Sequence, residues 1–253
     1  MKLGIHIDDL GAGVRGGVAA AARLGLDGVQ VSCGPGELDA STISHSGRRE
    51  FARLVERSGL VVSAVGAPAG CGLGDANAND VVVPGLVSAV ASAREMGTSH
   101  VTLSLGPIGP EAGDPSRAAA AEALRDVARA AELHGVTLCV ESGNEPPADL
   151  AGFLAGLSLP QLKVVCDPGA LAMRGYGVLQ GVRELAPLIA RAYARDGRHG
   201  EGECDLGEGE VPWNEYVAEL VAAGYDDFQI VRCTRGGDRL ARAARAVDAL
   251  RGM

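Results

Sequence analysis

Apolar positions along the chain follow two alternating spacings. Short β-rich runs are followed by alanine-rich segments in which apolar residues recur at helical intervals. This alternation predicts parallel strands joined by crossover helices. Eight runs are predicted to be strands: KLGIHI, DGVQVS, LVVSAVG, HVTLSLG, GVTLCVE, LKVVCD, IARAYARD and DFQIVRC. Eight strands, each followed by a helix, make a closed (β/α)8 barrel, and residues 1–253 are therefore predicted to form one such domain.

The segment between the fourth and fifth runs carries clear helix signals. Asp114 is placed as the N-cap, Pro115 as the first helical residue and Gly135 as the stop. Four apolar residues of this helix are assigned to one buried stripe: Leu124, Val127, Ala131 and Leu133.

Composition and charge narrow the choice of partners. The net charge is -9 with a pI near 5.1, which argues against a surface that neutralises nucleic-acid phosphates. No basic leader opens the chain and no apolar run is long enough to span a bilayer. We therefore expect a soluble, cytoplasmic protein with a small-molecule substrate, no nucleic-acid partner and no membrane; a homo-oligomer is left open.

The cysteines favour a structural role. None of the six forms a CxxC pair, and several lie in or beside apolar runs. In a reducing compartment they are expected to be free thiols that pack as small hydrophobic groups. They are Cys33, Cys71, Cys139, Cys166, Cys204 and Cys233.

Strand alternation predicts which side chains point into the barrel mouth. In the first strand, Gly4, His6 and Asp8 are expected to point inward. The same alternation brings six more residues to the carboxyl ends of the strands, where such barrels hold their active sites: Gln30, Ser104, Glu141, Asp167, Tyr193 and Arg232. Buried charge is costly without a partner, so this polar layer indicates a binding site; the alternative is a self-satisfied ion-pair network.

The order of these elements resembles the xylose isomerase-like TIM barrels, a family that includes sugar-phosphate isomerases, epimerases and apurinic endonucleases. AARLGLDGVQVS is similar to the family's second strand, and GVTLCVESGN to its fifth, which ends on a metal-binding glutamate at the place of Glu141. VVCDPGALAMRG resembles the sixth strand, with an aspartate ligand at Asp167. AYARDG with LGEGEVPW is similar to the seventh strand and its loop, and GYDDFQIVRC to the eighth.

Three positions depart from the family pattern. The family's Asp-x-x-His motif has Ala170 in place of the histidine. Tyr193 stands where the seventh strand usually offers a histidine, although Asp196 is kept three residues later. Arg232 replaces a glutamate that binds metal in the family and acts as acid or base.

These departures predict that the metal has been lost. Only the residual ligand positions Glu141 and Asp167 remain, and two carboxylates make a poor divalent-cation site. We expect Arg232 to fill the metal's space, with its charge offset by Glu141, Asp167 or both. No cofactor is expected, although the sequence leaves open a weakly bound Mn, Mg, Co or Zn ion.

Two functions follow from the resemblance. The first is an isomerase, epimerase or related lyase acting on a small sugar, polyol or keto-acid through a rewired, metal-independent site; its substrate could be anionic. Its predicted catalytic residues are Glu141, Asp167, His6 and Tyr193, and its predicted substrate-binding residues are Arg232, Asp196, Gln30, Ser104 and His199. The second is a non-catalytic barrel that binds a ligand or partner. An apurinic endonuclease is disfavoured, because that branch needs more metal ligands and the net charge is wrong for DNA.

The loop after the seventh strand, residues 196–213, holds glycines interleaved with acids and is long for a strand-to-helix connection. It is predicted to lie over the barrel mouth, either as a lid or as a solvated acidic loop. Trp213 is predicted to begin the next helix and to serve packing.

Overall fold

The computed structural model describes residues 1–67 and 72–253. Its barrel strands are β1 (Lys2–His6), β2 (Gly28–Ser32), β3 (Val61–Gly66), β4 (His100–Leu103), β5 (Thr137–Glu141), β6 (Leu162–Cys166), β7 (Ile189–Ala194) and β10 (Phe228–Val231). They close in the order β1-β10-β7-β6-β5-β4-β3-β2, and every neighbouring pair is parallel. The predicted (β/α)8 barrel is confirmed. Two further strands, β8 (Asp196–Arg198) and β9 (Gly202–Cys204), form an antiparallel hairpin where the sequence predicts a loop.

Helices surround the barrel between its strands. They are α1 (Gly13–Arg23), α2 (His45–Arg57), α3 (Ala76–Ala93), α4 (Pro115–His134), α5 (Pro147–Leu157), α6 (Pro168–Met173), α7 (Val178–Leu185), α8 (Trp213–Ala222) and α9 (Arg239–Arg251). Short 3-10 turns cover Ile7–Leu10 and Ala186–Leu188. Across the two described ranges, no helix is both long and apolar enough to cross a membrane.

Helix α4 shows how local chemistry sets an element's ends. The Asp114 side chain accepts a hydrogen bond from the Ser116 amide, and Gly135 ends the helix with φ of 60°, as the sequence predicts. Leu133, however, is 82% exposed, so its assignment to the buried stripe is wrong. At about 100° per residue, it lies about 200° around the helix from the buried Ala131.

The core has two parts. One fills the space between the strands and the helices, and the other is a plug inside the barrel formed by Cys139, Val165, Tyr193, Phe228 and Ile230. The five described cysteines carry free thiols, four of them buried and Cys204 half-buried. Cys71 lies outside the described residues.

The amino end of the barrel is closed by a charged cluster around Arg191. Its guanidinium binds Asp227 at 2.6 Å, the Ser63 carbonyl, and Nδ1 of His100 at 2.9 Å. Because a guanidinium only donates, this geometry requires His100 to accept and hence to be neutral. Burial, and then the charge of Arg191, lowers the pKa of His100 to about 4.

This cluster predicts acid sensitivity. His100 has an ordinary pKa near 6.5 when unfolded, so the unfolded chain binds more protons than the fold between pH 6.5 and 4. The free energy of unfolding should therefore fall as the pH is lowered through this window, by up to about 1.4 kcal/mol per pH unit from this group. His100→Gln should flatten that slope in urea denaturation at a series of pH values. Equal slopes in the two proteins would contradict the assignment; above pH 7.5 they should differ only by a constant offset.

Candidate functional site

A pocket of about 520 Å³ opens at the carboxyl ends of β4, β5 and β6. The predicted residues Ser104, Glu141 and Asp167 line it, and the turn of the β8–β9 hairpin forms another wall. The structure thus places part of the 196–213 segment at the mouth of the barrel. Several other predicted residues lie behind Glu141 rather than in the pocket wall.

A series of hydrogen-bonded side chains inside the barrel holds the Glu141 carboxylate at the pocket. The Tyr193 hydroxyl donates to Glu141 Oε1 at 2.7 Å, and Gln30 Nε2 lies 3.0 Å from both the Tyr193 hydroxyl and Thr102 Oγ1. Tyr193 is fully buried, and burial followed by the charge of Glu141 raises its pKa far above the usual value. Tyr193 is therefore a neutral donor that positions Glu141, whose side chain is 31% exposed to the pocket.

Arg232 contacts a partner that the sequence did not reveal. Its Nε donates to Asp9 Oδ2 at 2.7 Å and its Nη2 lies 3.4 Å from Asp9 Oδ1, while Nη1 lies 3.9 Å from Glu141 Oε1. The guanidinium also sits 4.9 Å above the Tyr193 ring, where cation–π attraction favours it. Burial tends to lower the pKa of Arg232, but the charge of Asp9 prevails and raises it. The sequence predicts Glu141, Asp167 or both as counter-charges. Glu141 lies within 4 Å of Arg232, but Asp9 is the closer partner, and Asp167 is paired with Arg195.

His6 is buried between acidic side chains and is absent from the described residues that line the pocket. Its Nε2 lies 3.3 Å from Ser32 Oγ, and its Nδ1 lies 3.5 Å from Asp9 Oδ1. Burial, then the charge of Arg232, lowers the pKa of His6 to about 4, so the ring is neutral at neutral pH.

Asp167 caps α6 and forms a salt bridge with a second arginine. Arg195 binds it with two nitrogens, Nη2 at 2.7 Å from Oδ2 and Nε at 3.3 Å from Oδ1, and the Ala170 amide donates to Oδ1 at 2.9 Å. Such a fork fixes the carboxylate and neutralises it. Ala170, where the family would have a histidine, leaves only a methyl group in the wall of the pocket.

Asp196 organises its loop instead of facing the pocket. Its carboxylate accepts hydrogen bonds from the amides of residues 197, 207, 209 and 211 and from Nε1 of Trp213 at 2.9 Å. With all five donors directed at one buried side chain, Asp196 holds the ordered loop beside the barrel mouth. Trp213 begins α8, as predicted, and packs edge-on against Tyr216.

The two remaining predicted residues have different positions. Ser104 lies in the pocket wall and accepts hydrogen bonds from Asn144 Nδ2 at 3.1 Å and from the Gly106 amide at 3.2 Å. His199 is exposed, next to Gly175, and is not one of the described pocket-lining residues.

Three arginines in the pocket wall were missed at the level of sequence: Arg174, Arg195 and Arg235. Arg195 and Arg235 follow the strands β7 and β10, and Arg174 follows the helix α6. All three lie in connections, where the two-residue alternation of a strand no longer predicts the direction of a side chain. A usable signal was their position in the loops at the carboxyl ends of the strands, which form the active face of such barrels.

The family's metal does not fit the side chains present here. Asp167 is neutralised by Arg195, Glu141 has Arg232 within 4 Å, and Tyr193 is held in its neutral form. Two unit charges about 4 Å apart interact by about 4 kcal/mol at an effective dielectric constant of about 20, and a divalent ion doubles the repulsion. Over the chain's described portion, no three His, Cys, Asp or Glu side chains converge to hold a metal ion.

Comparison with known proteins identifies the family. The family model for xylose isomerase-like TIM barrels matches residues 18–253, while no protein with a curated description matches the sequence. Among solved structures, a xylose isomerase domain protein from Planctomyces limnophilus superposes with a TM-score of 0.86 at 20% identity, over 99% of this chain and 96% of that one.

Two sugar epimerases have the same fold. The D-psicose 3-epimerase of Clostridium cellulolyticum H10, solved with D-tagatose, has a TM-score of 0.80 at 17% identity, over 100% of this chain and 99% of that one. The 3-keto-D-glucoside 4-epimerase of E. coli has a TM-score of 0.78 at 14% identity and full coverage of both chains. The match of the family model over nearly the whole chain is decisive: this protein belongs to the xylose isomerase-like TIM barrel family.

Proposed function

We propose that this protein is a sugar isomerase or epimerase-like enzyme that moves a proton beside a carbonyl group without a resident metal. The proposal rests on the state of Glu141. Among the described residues, Glu141 is the one carboxylate at a strand end in the pocket that no guanidinium binds with two nitrogens. The likeness of the fold to a D-psicose 3-epimerase and a 3-keto-D-glucoside 4-epimerase supports the choice of a polyhydroxy carbonyl substrate.

The proposed step uses only side chains of this chain. Glu141 removes a proton from the carbon next to the carbonyl, and the electron pair moves onto the carbonyl oxygen as an enolate. The guanidinium groups of Arg195 and Arg232 supply positive charge near that oxygen, the role that a metal ion would otherwise fill. Tyr193 holds Glu141 in place through its 2.7 Å hydrogen bond. In an isomerisation, the hydroxyl proton on the deprotonated carbon moves to the enolate oxygen, and Glu141 delivers its proton to the former carbonyl carbon. In an epimerisation, a proton returns to the deprotonated carbon from the opposite face.

The reaction type depends on how many pocket carboxylates are available to act as a base. One base suits an aldose–ketose isomerisation, in which the same group removes a proton from one carbon and returns it to the neighbouring carbon. Epimerisation needs a second group on the opposite face of the substrate. Asp167 is the carboxylate available for that role, and it would have to leave its fork with Arg195.

Solvent-proton exchange tests this function. Wild-type protein in D2O, treated with EDTA, is incubated with D-fructose, D-fructose 6-phosphate and 2-keto-D-gluconate while NMR follows loss of the proton beside the carbonyl. We expect exchange with at least one of these compounds, and the product spectrum separates an isomer from an epimer. Absence of exchange across a broad panel of ketoses and keto-acids, in folded protein, would refute the proposal.

A non-catalytic binding barrel is the second candidate. The pairs Asp9–Arg232 and Asp167–Arg195 already satisfy much of the charge in the mouth, as they would in a site kept only for binding. Tight binding of a sugar derivative with no proton exchange would favour this function over the first.

A further inference from the structure

Among the described residues, two guanidinium groups in the pocket wall form no salt bridge. The lining carboxylates have other cations beside them: Asp167 pairs with Arg195, Glu141 shares Arg232 with Asp9, and Glu201 lies 3.5 Å from Arg198. Arg174 and Arg235 also line the pocket, and no carboxylate within residues 1–67 and 72–253 lies within 4 Å of the guanidinium nitrogens of either. The wall as a whole holds three arginines and three carboxylates, but the guanidinium groups of Arg174 and Arg235 are not paired with any of them and are available to a negatively charged ligand.

The position of Arg235 is built into the fold. The carboxylate of Glu203 accepts hydrogen bonds from the Thr234 amide at 2.9 Å and the Arg235 amide at 3.3 Å, and Arg242 donates to the Arg235 carbonyl. Across the pocket wall, Gly202 adopts a φ of +106°, and a side chain there would start 3.2 Å from Arg235 Nη1. Gly202, the first residue of β9, thus leaves room for the guanidinium over its backbone.

Arg174 reaches the same pocket from a different connection. It follows Met173, the last residue of α6, on the side of the mouth formed after β6, whereas Arg235 follows β10. Two cations from separate loops facing one cavity repel each other, and a ligand with a negative group would relieve that repulsion.

We infer that Arg174 and Arg235 form an anion subsite, and that the substrate is a sugar derivative bearing a phosphate or carboxylate group. This inference rests on the proposed function for the assignment of the pocket as a substrate site. Guanidinium groups bind phosphate and carboxylate oxygens with two parallel hydrogen bonds. A sugar hydroxyl carries no negative charge and therefore binds a guanidinium less strongly. Glu141 then meets the carbonyl end of the substrate while the two arginines hold its anionic end.

Calorimetric titration of EDTA-treated wild-type protein compares three probes: D-fructose 6-phosphate, 2-keto-D-gluconate and D-fructose. We expect at least one anionic probe to bind about 10-fold or more tightly than D-fructose, because a hydrogen bond to a charged group strengthens binding by about that factor or more. The two anionic probes separate phosphate from carboxylate as the preferred group. Equal affinity for all three, or no binding of either anionic probe, would overturn the inference.

Single variants locate the subsite. Arg174→Gln and Arg235→Gln should each weaken binding of the preferred anionic probe about 10-fold and leave that of D-fructose unchanged. Arg57→Gln, an exposed arginine at the end of α2, makes the same charge change away from the pocket and should have no effect. Unchanged affinity in both pocket variants would assign the anion to another site and refute the inference.

Failure of this inference is distinguishable from failure of the proposed function. If the protein exchanges protons on neutral and anionic ketoses equally well and the arginine variants have no effect, the anion subsite is refuted and the proposed enzymatic function stands. If the anionic probe binds in a way that depends on the two arginines but no proton exchange occurs, the anion subsite stands and the proposed enzymatic function is refuted.

Discussion

Glu141→Gln is expected to slow proton exchange on the substrate by between about 10²- and 10⁴-fold, the usual contribution of a positioned general base. Glutamine has nearly the same shape, and its carbonyl oxygen still accepts the 2.7 Å hydrogen bond from Tyr193. It cannot take up a proton, however, so the chemical step loses its base while the pocket is kept. NMR in D2O measures the loss directly as the rate of deuterium incorporation.

The control for this variant is ligand binding. Glu141→Gln should keep the affinity of the best probe to within a few-fold by calorimetry, because the pocket's arginines are unchanged. A variant that binds normally but exchanges protons at the wild-type rate would remove Glu141 from the mechanism.

Asp9→Asn is expected to lower the free energy of unfolding by about 3–5 kcal/mol, the usual cost of removing one partner from a buried ion pair. Asp9 is 8% and Arg232 15% exposed at their side chains, so little water is available to replace the lost carboxylate. Burial tends to raise the pKa of Asp9, but Arg232, His6 and hydrogen bonds from Arg232 and the Cys233 amide lower it, so the pair is ionised in the fold. Urea denaturation at pH 7 measures the change.

Two further variants separate the pair from a general weakening of the fold. Asp9→Asn/Arg232→Met should recover much of the lost stability, because the double change removes the unpaired cation and fills its space with an apolar side chain. Asp226→Asn, an exposed aspartate, makes the same substitution at the surface and should change stability by less than about 0.5 kcal/mol. A double variant less stable than Asp9→Asn would contradict this account of Arg232.

Strand periodicity predicted the parts of the site that lie on regular strands. Gln30, Glu141 and Tyr193 come from β2, β5 and β7, and the two-residue alternation was enough to point all three toward one another. The hydrogen bonds that join Gln30 to Tyr193 and Tyr193 to Glu141 show that they meet inside the barrel.

Periodicity failed where the backbone leaves the strand. Asp9 lies in a 3-10 turn after β1, so neither strand nor helix spacing predicts its direction, and its pairing with Arg232 joins residues at opposite ends of the chain. The family resemblance places Asp196 among the substrate-binding residues, because an aspartate is kept three residues after the seventh-strand position. The turn that follows instead directs it at the amides of its own loop, a contact that no regular repeat encodes.

The proposed site moves protons without a resident metal. Its most direct test is the rate of substrate-proton exchange by wild-type protein whose metal content is measured by elemental analysis, before and after EDTA and after addition of Mn, Mg, Co or Zn ions. We expect one exchange rate under all of these conditions, with a metal content far below one ion per chain. Exchange that disappears with EDTA and returns in proportion to one bound ion per chain would contradict it.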